Sequence, residues 1–522
     1  MPVWFCALVS LALGACMSPP DVSQRSWADA LTPARSGTLA GIAAASVPEG
    51  ALSGFRLLAS GSESLQARLA LIERAQVSLD LQYYQFKADA TGRRLMRALR
   101  DAAARGVQVR VLLDDLYTTG DDDLWLGLAA SPRVEVRLFN PFLMGRESQL
   151  GRLAESALGS ERTRRRMHNK LFIADGVLAI AGGRNIADAY FLPAAQGSFV
   201  DIDVLAAGAL VPPMALAFDV YWNSDYSHEL RSVVEEPWPS EQRRAAFDVA
   251  LAAGIDSLQG AALRSATRAD SGVMQELDQG RLTMHLAAAA VLYDSPAKVE
   301  SERGAVDPAQ LAMTGAQVPL LVSQAIRQAR HEVLIVSPYL IPGSSGLAGV
   351  RELRQRGVRI TLLTNSLAAT DEAAVHLGYR KYRAPLLREG VELYEWSPAR
   401  GGRVLREWLA GGTVLRLHAK AALVDRSLVY LGSMNFDPRS RHVNTEFGLL
   451  VRSPGLAEEV HALIDRLKRE GAYRLHLDDD GRTLHWTAGD SDLHVEAFEP
   501  DTDFGSRLLL DLLAPLVPEE LL

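Results

Sequence analysis

The sequence predicts an α/β protein of two similar lobes related by pseudo-twofold symmetry, each a mixed sheet flanked by helices. Three observations carry that reading. The 522 residues are 48% hydrophobic and 23% charged with a net charge of −8, the profile of a globular protein and not of a collagen-like, disordered or coiled-coil one. At roughly 100–200 residues per domain there is room for two to four domains. Helix-then-strand patterns occur twice, and the two sets match at one offset along the chain.

The first matching pair is 104–114 and 355–364, in which Gly106 and Gly357 fall 251 residues apart. Each follows a helical stretch. Gly92 to Ala104 places Leu95, Met96, Leu99 and Ala103 on one face, and Leu347 to Gln355 does so with Val350 and Leu353. Helix, glycine stop and apolar strand make up a parallel α/β unit. Upstream, Val77 to Phe86 and Val333 to Ile341 are strand candidates, each after an amphipathic helix near 65–75 and 320–329. The second pair is His168-Asn-Lys170 ending at Asp175, and His418-Ala-Lys420 ending at Asp425, 250 residues apart. Ten residues past each Asp stands Asn185 or Asn435. One shared offset for several features marks a duplication, with lobes at 56–235 and 305–470, an insert at 236–304 and a tail at 471–522.

The N-terminus reads as an address. Val3 to Ala15 is an apolar run too short to span a bilayer, as in the core of a signal peptide. It ends in Leu13-Gly14-Ala15-Cys16, which resembles a bacterial lipobox and implies cleavage before Cys16 and lipidation of its thiol. No Lys or Arg precedes the run. A signal peptide over 1–16 and a Ser- and Pro-containing linker over 17–55 would hold the protein on the membrane of a bacterial cell envelope, facing the periplasm. Past Cys16, no stretch reaches the roughly 18 unbroken apolar residues of a membrane span. The only cysteines, Cys6 and Cys16, cannot build a disulfide framework or a Cys-rich metal site.

His-x-Lys on a strand points both side chains to one face. A lone pair of this kind is ordinarily a surface feature. Two, each followed at equal spacing by Asp and then Gly-x-x-Asn, are not. The chain holds only six lysines, Lys87, Lys170, Lys298, Lys381, Lys420 and Lys468, and two of them fall in this pattern. Symmetry would gather two imidazoles and two ammonium groups in one cleft. Such a cluster suits a phosphate, with one imidazole attacking phosphorus and the other protonating the leaving oxygen. The chemistry calls for no metal and no cofactor.

Both segments fit H-x-K-x4-D-x6-G-(G/S)-x-N, and on this pattern the chain resembles the phospholipase D superfamily in its two-copy form from about 56 to 470. Finer features resemble the cardiolipin synthase branch, its C-type members most. These are Gln82-Tyr83-Tyr84, Gly183-Arg184-Asn185-Ile186 with Tyr190-Phe191, Ser337-Pro338-Tyr339, Thr364-Asn365-Ser366-Leu367, and Asn435 to Ser440 with Asn444-Thr445-Glu446. The resemblance implies two phospholipase D-type lobes and a ping-pong reaction through a phosphohistidine. It makes His168 the nucleophile and His418 the acid and then base, although like lobes leave the two roles interchangeable on sequence alone. It gives Lys170, Lys420, Asn185 and Asn435 to the phosphoryl oxygens. It places a histidine-orienting acid 25–35 residues past each His, which is Glu446 in the second lobe and Asp201 or Asp203 in the first. Asp175 and Asp425 belong to the catalytic motif, and their position suits support of the strand-turn geometry and the lobe interface.

Other candidates have plainer alternatives. Arg162, Arg164, Arg165 and Arg166 could draw in an anionic headgroup or be a solvated loop. His376 could stand near the pocket or on the surface. Tyr221, Trp222 and Trp396 suit the core. Phe504 to Leu522 could lie on a membrane or pack on the second lobe. The implied function is a phosphatidyltransferase making cardiolipin from two phospholipids, the alternative a hydrolase releasing phosphatidic acid. The expected partners are phospholipid substrates and a membrane surface. The net negative charge and the lack of a basic, aromatic-lined groove argue against nucleic acid.

Overall fold

Helix starts are encoded locally. Ser60 accepts a hydrogen bond from the Glu63 N–H to open helix Gly61–Arg74, and Asp89 accepts from the Gly92 N–H to open helix Ala90–Ala104. Gly106 at φ 101° and Gly357 at φ 80° turn the chain out of the matched helices into their strands, as the repeat requires. The computed structural model describes residues 20–22, 25, 32–50, 52–143, 145–146, 148–158, 161–192, 197–235, 239–252, 258–268, 271–300, 317–404, 415–479, 481, 483–488, 495–496, 498–503, 505, 507–508 and 512. Cys16 with its lipobox, and most of 504–522, lie outside them.

The first-lobe strands are β1 (Ser53–Leu58), β2 (Ser78–Tyr83), β3 (Gln108–Asp114), β4 (Val134–Phe139), β5 (Lys170–Ala174), β6 (Leu178–Gly182), the short β7 (Phe199–Val200), β8 (Asp203–Gly208) and β9 (Ser227–Glu229). Their sheet runs β9-β4-β3-β2-β5-β6-β8-β1, parallel only along β4-β3-β2. The second-lobe strands are β10 (His285–Tyr293), β11 (Glu332–Val336), β12 (Arg359–Asn365), β13 (Glu392–Trp396), the short β14 (Arg416–Leu417), β15 (Ala421–Val424), β16 (Leu428–Gly432), β17 (Phe447–Arg452) and β18 (Ala472–Leu477). Their order, β18-β13-β12-β11-β15-β16-β17-β10, repeats that of the first lobe, and two further strands, β19 (Leu484–Ala488) and β20 (Val495–Glu496), extend the sheet beyond β18. β1 pairs antiparallel with β10, so the two sheets join edge to edge.

β10 comes from within 236–304 and β18 from within 471–522, yet both continue the second-lobe sheet. β10 reads HLAAAAVLY, and its small residues hide the period-2 signal a strand would show. Between the lobes, strands β5, β6 and β8 bury Leu171, Ile173, Ala179, Val204 and Ala206 in one apolar cluster with Leu423, Val429, Leu449 and Val451 of β15, β16 and β17. This shared core holds the two motif strands at a fixed distance.

Candidate active site

Each motif strand begins against the opposite lobe. The Met167 backbone bridges Thr445, the His168 N–H donates to the Thr445 carbonyl at 2.9 Å, and the Thr445 N–H donates to the Arg166 carbonyl at 2.9 Å. Symmetrically, β14 pairs with β7, and the His418 N–H donates to the Val200 carbonyl at 2.8 Å. The residue after Thr445 is Glu446 and the residue after Val200 is Asp201. Each carboxylate is thereby delivered to the histidine of the other lobe. His168 Nδ1 lies 2.9 Å from Glu446 Oε2, and His418 Nδ1 lies 2.6 Å from Asp201 Oδ2.

This corrects the expected pairing of each acid with the histidine of its own lobe. It also removes Asp203 from the histidine-orienting set. The Asp203 carboxylate instead takes Ser64 Oγ at 2.7 Å and Arg68 at 3.0 Å, with Arg184 at 3.6 Å, as a buried structural ion cluster. At Gly183 an added Cβ would collide with the Asp201 carboxylate, so this position must be glycine. Its counterpart Ser433 uses the same space to donate its hydroxyl to Glu446, while Ser440 Oγ donates to the other Glu446 oxygen at 2.7 Å.

Both histidines are buried, at 6% and 5% exposure. Burial works to raise the Glu446 carboxyl, but His168, Lys170 and the Ser433 hydroxyl outweigh it and hold the group down at about 2. Burial takes the His168 ring down to about 4, aided by Lys170 and Lys420 against the pull of Glu446. A carboxylate only accepts, so the proton of the neutral ring sits on Nδ1 and Nε2 carries the lone pair. Burial and Lys420 push His418 well below its usual value. Burial also lowers Lys420, to about 8, and burial and Lys420 together lower Lys170 further. Lys170 Nζ donates to the His168 carbonyl at 2.6 Å, and Lys420 Nζ to that of His418 at 2.5 Å. Asn185 Nδ2 donates to Tyr190 Oη at 2.9 Å, while Asn185 Oδ1 and Asn435 Oδ1 are buried with no hydrogen-bond partner among the described residues. Two neutral rings, two crowded ammonium groups and unfilled amide capacity describe a pocket that an anion would complete.

Asp175 and Asp425, expected with the catalytic groups of the motif, stand away from this chemistry, which corrects that expectation. β5 carries the chain from Lys170 to Ala174, about 13 Å at a strand's rise, before Asp175 is reached. There the Asp175 carboxylate accepts from the N–H groups of Gln76, Val77 and Ser78 and anchors the start of β2. Asp425 does the same for Arg330, His331 and Glu332 at β11. Both sit at φ near 50°. Each thus supports its own lobe's strand geometry and not the lobe interface.

Of the remaining candidates, Arg162, Arg166, His376, Tyr221, Trp222 and Trp396 pack within the fold. Arg166 is buried over the Phe142 ring and bonds to the Asn140 carbonyl, and Arg162 bonds to the Pro141 carbonyl. His376 is buried beside Arg383 and Glu499. Tyr221 donates to the Asp294 carbonyl, Trp222 stacks under Arg137, and Trp396 donates to the Leu415 carbonyl. Of 504–522, the described Leu508 and Leu512 are exposed. Sequence reasoning gave no role to Tyr84, edge-on to His168 at 4.9 Å, or to Tyr190 and Phe199, at 5.1 and 5.0 Å from His418. It also passed over the buried pair Lys298–Asp294 at 2.6 Å, whose Asp294 Oδ2 takes the Glu446 N–H at 3.1 Å. The rarity of lysine was the available signal for Lys298.

Comparison with known proteins gives the family and the fold. The family model described as "Cardiolipin synthase, PLD-like domain" matches residues 69–196 and 322–468, one stretch in each lobe. Cardiolipin synthase C of Escherichia coli (strain K12) is 36% identical over 465 residues, covering 88% of this chain and 93% of that one. An uncharacterized protein of Helicobacter pylori (strain J99) is 30% identical over 469 residues, 89% of each chain. The crystal structure of phosphatidylserine synthase from Haemophilus influenzae Rd KW20 shares the fold, with a TM-score of 0.57 at 13% identity, over 90% of this chain and 95% of that one. With its two halves matched by one family model and a relative this similar along nearly its full length, the chain belongs to the cardiolipin synthase family of PLD-like domain proteins.

Proposed function

We propose that the protein joins two phospholipids into cardiolipin by phosphatidyl transfer through a phosphohistidine. The observation that carries this reading is the pair of buried imidazoles, each fixed through Nδ1 by a carboxylate of the other lobe, sharing one site with Lys170 and Lys420. The name of the E. coli relative points the same way. In this reading His168 Nε2 attacks the phosphorus of the donor. The bond to the leaving alkoxide breaks, and that oxygen takes a proton from His418. Lys170, Lys420, Asn185 and Asn435 hold the phosphoryl oxygens, whose negative charge offsets the two ammonium groups and lets His418 carry the proton. His418 then takes the proton of the acceptor lipid's hydroxyl. That oxygen attacks the phosphohistidine and frees His168. A site this buried suits an acceptor delivered as a lipid better than bulk water.

Attachment to the periplasmic face of the membrane through a lipidated Cys16 completes the reading. It would bring a chain whose described helices are all too short or polar to cross a bilayer up to its substrates. The test is the purified protein with vesicles of phosphatidylglycerol and phosphatidylethanolamine, products read by mass spectrometry. Cardiolipin is expected, and phosphatidic acid alone would make the protein a hydrolase. His168→Ala and His418→Ala should each abolish turnover, and retained activity in either would end the two-histidine mechanism.

A further inference from the structure

The duplicated lobes act as controls for each other, and at one place they differ. In the first lobe, helix Ala90–Ala104 buries Leu95, Met96, Ala98 and Leu99 against its sheet. In the second, helix Gly343–Gln355 fully buries only Leu353. At the 251-residue offset, Gly346, Gly349 and Val350 replace Leu95, Ala98 and Leu99. The trimmed side chains leave a cavity of about 690 Å³ between the helix and the sheet. Its deep wall is apolar and buried, formed by Val333, Ile335, Ile360 and Leu362 of β11 and β12. A cleft of this size that opens apolar side chains to solvent marks a surface built to be covered.

The rim differs in chemistry. Arg327 and Arg441 line it with Ser345, to which Arg441 donates at 2.7 Å, and neither guanidinium meets a carboxylate among the described residues. Asn435, of the second motif, belongs to the wall of the same cavity. An apolar chamber with a cationic rim that reaches the phosphate site matches one end of a phospholipid. We infer that this cavity is a subsite for one fatty acyl chain of a phospholipid substrate, with Arg327 and Arg441 facing its anionic head. The inference rests on the proposed function for the substrate class alone.

Gly349 gives a clean test. A Cβ built there meets nothing within 4 Å, and a larger residue in a helix is favoured over glycine, so Gly349→Leu should fold and fill the space. Val350→Phe fills it from a second position. The probe is phosphatidylglycerol carrying a photoreactive diazirine in one acyl chain, presented in vesicles to the full chain and mapped by peptide mass spectrometry. Label is expected on the lining segments 319–362 and 434–443, lost in both variants, and displaced by excess unlabelled phosphatidylglycerol. Label elsewhere, or label that survives both substitutions, overturns the subsite. Equal displacement by oleate alone makes it a fatty-acid site and overturns it as a phospholipid subsite. In turnover, both variants should raise KM at least roughly tenfold for long-chain phosphatidylglycerol, the loss of about two buried methylenes, and leave KM for a water-soluble dibutyryl analogue unchanged. Labelling of these segments without any turnover would retire the proposed reaction and keep the subsite.

Discussion

Burying two ammonium groups in one pocket makes each give up its proton more readily. Burial lowers Lys420 to about 8, against the opposing pull of Asp201 and Glu446. Below that pH it is charged and can hold a phosphodiester. Above it the charge is lost. His418, the acid of the proposed reaction, is held well below its usual value by burial and Lys420, so kcat/KM, which reports the free enzyme, should fall with rising pH as His418 loses its proton. Loss of the Lys420 charge should add a second fall near 8, which Lys420→Arg should remove even if the overall rate drops, since a guanidinium keeps its proton. At the acid end, His168 protonates only near pH 4, so activity should persist well below neutrality. The motif aspartates call for a different experiment. Asp175→Ala strips the acceptor from three backbone N–H groups and should cost about 2–3 kcal/mol in urea unfolding. Asp425→Ala, at a more exposed site, should cost about half as much. In both, kcat of the folded protein should be unchanged, and a large fall in kcat without loss of stability would restore a catalytic role to these residues.

At the scale of elements, the short pairing of β7 with β14 and the bridge from Met167 to Thr445 decide which acid serves which histidine. Each hooks one lobe's loop over the start of the other lobe's motif strand. Glu446→Gln should leave the fold intact but remove the carboxylate that fixes the His168 tautomer, lowering kcat by roughly 10³–10⁴-fold, as loss of the corresponding charge does in other imidazole–carboxylate pairs. Asp201→Asn should do the same through His418. Asp203→Asn is the control. It should lower stability by stranding Arg68 and Arg184, both buried, with little effect on kcat. If Asp203→Asn is the variant that abolishes turnover in folded protein, the crossed pairing is wrong.

Over the whole molecule, the edge-to-edge pairing of β1 with β10 and the core shared by β5, β6, β15 and β16 make one body of two lobes. Neither lobe holds a complete site, because each histidine relies on a carboxylate from across the seam. The body carries a net charge of −8, so attraction to an anionic membrane must come from local cationic groups and an anchor. Intact-mass measurement of the protein from membranes should show a diacylglyceryl group on Cys16, and Cys16→Ser should move it to the soluble fraction. An unmodified Cys16 would remove the anchor from the account.

The sequence by itself determined the duplication, the matched helices, the glycine stops at Gly106 and Gly357, and the two His-x-Lys pairs. All of these are written in spacing and in residues whose conformational preferences are local. It also marked Glu446 and Asp201 as acids of interest, but by distance along the chain, which assigned each to the wrong histidine. Only the tertiary structure decided that pairing, because it depends on backbone hydrogen bonds at Thr445 and Val200 between residues more than 200 positions apart. The role of β10 as the seam strand, the distance of Asp175 and Asp425 from the site, and the space left by Gly346 and Gly349 were settled in the same way. A strand's neighbour, the far end of a strand and the volume beneath a helix are properties of packing, and packing joins parts of the chain that local sequence does not relate.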